Sequence, residues 1–204
     1  MTETVASMVD VIYPLQGRIL PRDHRRALAE ALERLVPWLG EPAQAGVHRI
    51  NAVAGIGPTA LLSDRARLTL RVRRERVGEL APLGGAVLDV GGHALQLGQV
   101  AVVRELLPHT TLYAHLVTTA DDEELAFLDT IDHELEALGV PCRCICGRRQ
   151  VIDNDGAPVT GYSLMLDGLS PAASLRVLES GLGRHRRLGC GVFVPHKSSA
   201  AVGA

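Results

Sequence analysis

The order in which strand-like and helix-like patterns follow one another constrains this chain most, because that order runs through twice. Residues 8–15 alternate, with Val9, Val11, Tyr13 and Leu15 on one side, which predicts a strand. Asp23 then offers an N-cap, and Ala27, Leu28, Ala31, Leu32, Leu35 and Val36 recur at helical spacing until Pro37 ends the pattern. Residues 46–63 hold strand-like material interrupted at Gly55, Ile56, Gly57 and Pro58. Leu68, Leu70 and Val72 then alternate with Arg67, Thr69, Arg71 and Arg73, which predicts a strand that buries one face and shows arginines on the other. A short helix through Val77, Leu80 and Leu83 follows, then strands over 87–90 and 94–103 that turn at Gly91 and Gly92. The resulting order is β-α-β-β-α-β.

After Pro108 the order restarts. A strand over 111–118 precedes an acid-capped helix from Asp121 that carries Leu125, Leu128, Ile131, Leu135 and Leu138 and stops at Gly139 and Pro141. Strands over 142–152 and 158–166 flank a turn at Asn154, Asp155 and Gly156, and Ser170 with Pro171 opens a helix through Leu175 and Leu178 before a last strand. Two such units predict an α+β fold of tandem ferredoxin-like (RRM-like) β-α-β-β-α-β domains, each an antiparallel sheet with helices on one face. The first domain is expected over residues 1–106 and the second over 107–204. With 47% hydrophobic residues in 204, a sizeable core is available. No apolar run reaches the roughly 18 to 20 residues of a membrane span, and the first residues lack the basic and apolar regions of a signal peptide. A soluble, cytoplasmic protein with no membrane partner is the expectation.

Between the last helix and last strand stand residues 181–191, with four glycines (Gly181, Gly183, Gly189, Gly191), three arginines (Arg184, Arg186, Arg187) and His185. Glycine lets a backbone adopt positive φ and approach a ligand closely, and arginine offers a forked donor to phosphate oxygens. The segment is not a P-loop, since Lys197-Ser198 follows His196 rather than a glycine. A dinucleotide fingerprint would need glycine where Arg186 stands, and a strand before and a helix after. Two readings remain: a cradle for a phosphodiester backbone, or a helix C-cap at Gly181 followed by a surface turn.

The net charge of −2 argues against a protein that coats nucleic acid everywhere, but the cations are unevenly placed. Of 21 basic residues only Lys197 is lysine, and arginines gather at Arg65, Arg67, Arg71, Arg73, Arg74 and Arg76, at Arg143, Arg148 and Arg149, and in the loop. Cys142, Cys144 and Cys146 share one face if their segment is a strand, and Cys190 lies in the loop. Zinc sites use wider Cys knuckles, so these are read as buried free thiols, with no metal and no cofactor expected.

The element order, together with a loop of the form Gly-Leu-Gly-x-x-Arg-Arg-x-Gly-Cys-Gly-x-Phe-x-Pro, resembles the CRISPR-associated repeat-processing endoribonucleases of the RAMP superfamily (the Cas six group), in particular their short myxobacterial-type branch. Further matching stretches begin at Leu20, Pro37, Gly46, Arg65, Gly91, Thr111 and Gly161. The resemblance implies a protein that binds the stem-loop of a CRISPR repeat RNA, cuts it without metal by attack of a ribose 2′-hydroxyl on the adjacent phosphate, and stays on the mature guide RNA. It implies as partners the backbone and RAMP-type subunits of an effector complex, with a monomer or dimer when free. The alternative is a noncatalytic subunit that binds the guide-RNA hairpin.

Such a cut needs a base, an acid and cations around the phosphate. Histidine is the natural proton carrier near neutrality. His24 sits at a predicted helix N-terminus, where the dipole favours its neutral form, or it merely caps that helix. His48, at the start of a predicted strand, lies close to where the family carries its active-site histidine, and its alternative is a surface role. Gly181, Gly183, Arg184, His185, Arg186, Arg187, Gly189, Gly191, Lys197, Arg65, Arg67, Arg71 and Arg73 form the expected RNA-binding set. One departure stands out: relatives commonly have His-Glu where this chain has Gly40-Glu41.

Overall fold

In the computed structural model, β1 (Met8–Gln16) is the middle strand of the first of two units, and its sequence explains that position. Val9, Val11, Tyr13 and Leu15 are all buried, at 4% exposure or less, so the alternating side faces the core. The structure describes residues 6–55, 57–154 and 156–197; Ile56, within the predicted interruption, and Asp155, within the predicted turn, lie outside them. The first unit comprises Ser7–Glu105 together with Arg187–Gly189, and the second is built on Leu106–Arg186 and continues from Cys190.

In the first unit β3 (Ala45–Val47) pairs with β6 (Arg67–Arg73), β6 with β1, and the far side of β1 with β8 (His93–Leu97) and β9 (Val102–Glu105). All these pairings are antiparallel, and β3-β6-β1-β9 is the strand order of a ferredoxin-like sheet. The predicted strand over 94–103 is therefore two strands. Pro14 has no N–H to donate, Gly98 N–H bonds its carbonyl at 2.9 Å, and the ladder changes partner there, β8 meeting Leu15 and Gln16 while β9 meets residues 9–12. β7 (Val87–Val90) completes a hairpin with β8. A separate small sheet joins β2 (Ile19–Pro21), β5 (Thr59–Leu61) and β4 (Val53–Ala54).

Helix α1 (Arg25–Leu35) buries Leu28, Ala31 and Leu32 as its spacing predicts, together with Ala29, whereas Leu35 is exposed. Its N-cap is His24 rather than Asp23, and no side chain caps it. The expected short helix through Leu80 is a 3₁₀ segment, Arg74–Leu83, in which Pro82 cannot donate to a continued α-helix.

The second unit repeats the sheet more simply, in the order β11 (Arg143–Asn154), β12 (Ala157–Asp167), β10 (Thr111–Thr118), β13 (Val194–Pro195), all antiparallel. Its helices are α2 (Glu124–Ala137) and α3 (Pro171–Ser180). α2 starts later than Asp121, and Leu125 is 78% exposed. Phe127 takes the anchoring role instead, its ring 4.8 Å from that of Tyr162. Ser170 caps α3 as predicted, its hydroxyl accepting from Ala173 N–H at 3.3 Å with Pro171 in the first turn. The Phe127 contact puts Tyr162, Leu164 and Leu166 on the α2 side of β12 and Ser163 and Met165 on the other. Cys144 and Cys146, opposite Leu166 and Leu164, share the α2 side. Burial pushes their thiols up to about 12 and about 11, and Cys142, Cys144, Cys146 and Cys190 are in no disulfide. Each unit is thus an α+β ferredoxin-like sheet, in tandem along the chain.

Candidate functional site

Strand register in the first unit lays Asp10, Arg71 and Gly46 in a row across β1, β6 and β3. His48, two residues beyond Gly46, falls on the same side and reaches back along that row. Its Nε2 lies 3.3 Å from Asp10 Oδ1, to which it donates. Arg71 clamps the same carboxylate with Nε at 2.8 Å from Oδ1 and Nη2 at 3.0 Å from Oδ2. The Arg71 side chain is 1% exposed and those of Asp10 and His48 15% and 14%. Burial alone would raise the Asp10 pKa, but the hydrogen bonds from His48 and Arg71 and the charge of Arg71 hold its carboxyl well below the usual carboxylate range.

His24 approaches the same place from α1. Its Nδ1 lies 3.1 Å from the Pro21 carbonyl. A carbonyl only accepts, so Nδ1 carries the proton and Nε2 keeps a lone pair. Burial lowers the pKa of this imidazole, the charges of Arg25 and Arg49 add to the effect, and the Pro21 bond and Asp23 only partly oppose it. The neutral form, with a basic Nε2, is favoured. One narrow pocket is lined by His24, Arg25, Leu28, Val47, His48, Arg49, Arg187 and Leu188, all of the first unit.

Arg187 and Leu188 of the Gly-rich loop line this pocket, and Gly189 follows them in the same unit. Arg187 pairs with Glu33 at 3.1 Å, and Arg25 donates to the Leu188 carbonyl at 3.0 Å. Gly189 has φ 78° and a side chain there would come within 2.9 Å of the Val47 carbonyl. In the second unit Gly183 and Gly191 press in the same way on the carbonyls of Thr118 and Leu182. These glycines permit close approach of the chain to itself, where the sequence suggested approach to a ligand. Gly181 ends α3 with φ 65°, so the C-cap reading holds alongside any binding role.

The three loop arginines have separate fates. Arg184 is exposed, while its N–H bonds the Thr118 carbonyl at 2.8 Å. Arg186 is 8% exposed, and its Nη1 donates to the carbonyls of Glu179 (3.0 Å) and Ser180 at the end of α3, where the helix dipole favours a cation. His185 holds φ 62°, unusual for a residue with a side chain, and its Nδ1 lies 3.0 Å from the Thr118 hydroxyl, which itself donates to the Arg184 carbonyl. On β6 the arginine face is not uniform either: Arg67 and Arg73 are exposed, as is Arg65 before the strand, but Arg71 is buried on Asp10. For Arg71 and Arg186 the expected solvent-facing guanidinium is corrected, because Arg71 is clamped on the Asp10 carboxylate and Arg186 is turned inward onto the carbonyls that end α3. Lys197 is exposed after β13. At Gly40 a side chain would meet the Glu33 carboxyl carbon at 2.9 Å, so the carboxylate that holds Arg187 occupies the space a side chain at position 40 would enter.

Sequence reasoning passed over Asp10, Arg25, Glu33 and Arg49. Asp10 had a signal, as the one acidic residue in the apolar run Met8-Val-Asp-Val-Ile-Tyr13. The arrangement offers a lone-pair imidazole, a second imidazole held by a carboxylate, and three guanidiniums. That set suits proton transfer at a phosphate diester.

A family model described as Cas6 Crispr matches residues 9–198. The protein of Myxococcus xanthus (strain DK1622) named CRISPR-associated endonuclease Cas6 is 38% identical over 195 residues, which span 95% of this chain and 84% of the relative. A solved structure described as CRISPR associated protein Cas6 superposes with a TM-score of 0.68 at 10% identity, over 93% of this chain and 100% of the other. The structure described as a characterization of a Cas6-related gene from Pyrococcus furiosus gives 0.60 at 14% identity, over 92% and 98%. At these identities the two structures share the fold.

Proposed function

This chain belongs to the Cas6 family of CRISPR proteins, and on that premise we propose that it binds the stem-loop of CRISPR repeat RNA and cleaves it in the His24 and His48 pocket. His24 Nε2 takes the proton of a ribose 2′-hydroxyl, the oxygen forms a bond to the adjacent phosphorus, and the bond from phosphorus to the 5′-oxygen breaks. His48, entering as the imidazolium with its Nε2–H on Asp10, gives its Nδ1 proton to that leaving oxygen. The products are a 2′,3′-cyclic phosphate and a 5′-hydroxyl. Arg25, Arg49 and Arg187 neutralise the crowded phosphate, so these side chains supply every charge and proton the step requires without a metal. Exposed Arg184, Arg65, Arg67, Arg73 and Lys197 contact the RNA backbone, and the loop keeps the protein on the mature guide RNA within an effector complex.

The observation that carries this reading is the meeting of two histidines and three arginines from distant parts of the sequence in one pocket. A second reading, a noncatalytic subunit that holds the guide-RNA hairpin, draws support from Gly40, where the family resemblance led to the expectation of a histidine. Labelled repeat RNA incubated with pure protein in EDTA separates them. Under the first reading His24→Ala and His48→Ala each slow cleavage by about 10²- to 10⁴-fold with RNA affinity retained. Tight binding by the parent protein with no cleavage at any enzyme concentration would favour the second.

A further inference from the structure

The second unit carries an irregularity that the cleavage chemistry does not use. Along β12, Leu164 pairs with Ala114 of β10 and Cys146 of β11, and Tyr162 pairs with Val117 and Arg149. Each neighbour therefore places two residues against the single Ser163, so both flanking strands bulge at the same level. The local chemistry is fitted to these bulges. Ser163 Oγ accepts from Arg148 N–H at 2.9 Å, and Gln150 Nε2 donates to the His115 carbonyl at 2.8 Å. At Gly147 a side chain would come within 2.5 Å of Ser163 Oγ, so glycine is required beside the bulged Arg148.

Tyr113, by its pairing with Met165, and His115, two residues on, lie on the face of β12 that looks away from α2, and the bulge in β11 brings Arg148 to the same face. There Tyr113, His115, Arg148, Gln150 and Ser163 line a solvent-open pocket of about 690 Å³. The Tyr113 ring stands 5.6 Å from that of His196, tilted by 51°. No acidic residue lines the pocket, and among the described residues no carboxylate pairs with the exposed Arg148 guanidinium.

We propose that this pocket binds one unpaired nucleotide of an RNA strand, its base against Tyr113 and its phosphate on Arg148. The surface offers what such a nucleotide needs: an aromatic face for the base, a forked cation for the phosphate, and amide and imidazole groups for the base edge. A paired stem presents none of its base faces, so the pocket selects single-stranded RNA flanking a hairpin. The proposal rests on the RNA-binding reading above and assigns it a second site.

Three RNAs test it: a repeat stem-loop, the same stem-loop with a single-stranded flank, and the flank alone as a short oligonucleotide. Tyr113→Ala and Arg148→Ala are each expected to weaken binding of the flanked RNA and of the free flank by about ten-fold, the scale of losing one stacked base or one phosphate clamp. Both variants should bind the bare stem-loop within two-fold of the parent. Tyr113→Phe keeps the ring and should restore affinity, which sets stacking apart from damage to the fold. Equal losses on all three RNAs, or no loss on the free flank, would overturn the site. Failure of the parent protein to bind the stem-loop would instead sink the repeat-RNA reading and leave the free flank to judge the pocket.

Discussion

The first unit's pocket and the second unit's bulge pocket both bring arginine and histidine together, yet they treat charge in opposite ways. Around His48 and His24 the cations are answered from within: Arg71 by Asp10 and Arg187 by Glu33. At the bulge, Arg148 has no such partner among the described residues, and the side-chain hydrogen bonds of Ser163 and Gln150 go to backbone. Internal pairing fixes side chains before a substrate arrives, which a proton-transfer step rewards because misplacement by an ångström is costly. Leaving a cation unanswered keeps its charge available to a ligand. The difference teaches that arginine content alone does not mark a binding surface; the carboxylates nearby set how firmly an arginine is held and how much of its charge is left for a ligand.

Three changes test that contrast. The largest effect is expected from Asp10→Ala, which strands a buried guanidinium and should cost about 3 to 5 kcal/mol in urea denaturation, whereas Arg148→Ala, on the surface, should stay within about 0.5 kcal/mol. Comparable losses at the two positions would erase the distinction. Next comes Gly147→Ala, which forces a methyl against Ser163 and should cost about 1 to 3 kcal/mol while sparing stem-loop cleavage, since it perturbs only the bulge. The smallest is a pH effect. His24 has a lowered pKa in the folded state, so the unfolded chain binds the proton more readily, and stability should fall as pH drops below the ordinary imidazole value of about 6.5. Thermal melting between pH 7.5 and 5.5 should show this loss in the parent and a flatter profile in His24→Gln.

Much of the fold could be read locally. The alternation of β1, the spacing of α1 and the Ser170 cap each depend on neighbours a few residues away, and each element stands where those neighbours place it. The 3₁₀ segment at Arg74–Leu83 and the divided strand after Gly91 were misread because single imino groups, Pro82 and Pro14, outweigh an apolar pattern. The site was legible only in part. His24 and His48 stand out by residue type, but Arg71 looks like its exposed neighbours until register sets it against Asp10, 61 positions away. Arg186 in turn looks like a phosphate contact until α3 is seen to end beneath it. Paired bulges leave no trace in a sequence, since each is a mismatch between strands that local pattern cannot register.

The contacts of Arg187 and Leu188 also set a clock. Glu33 and Arg25 wait for residues 154 and 163 positions further on before their hydrogen bonds can form. On a ribosome the histidines and the early strands emerge long before those partners do. The nascent chain therefore lacks part of this pocket until residues 187 and 188 have left the exit tunnel, and only then can the pocket close.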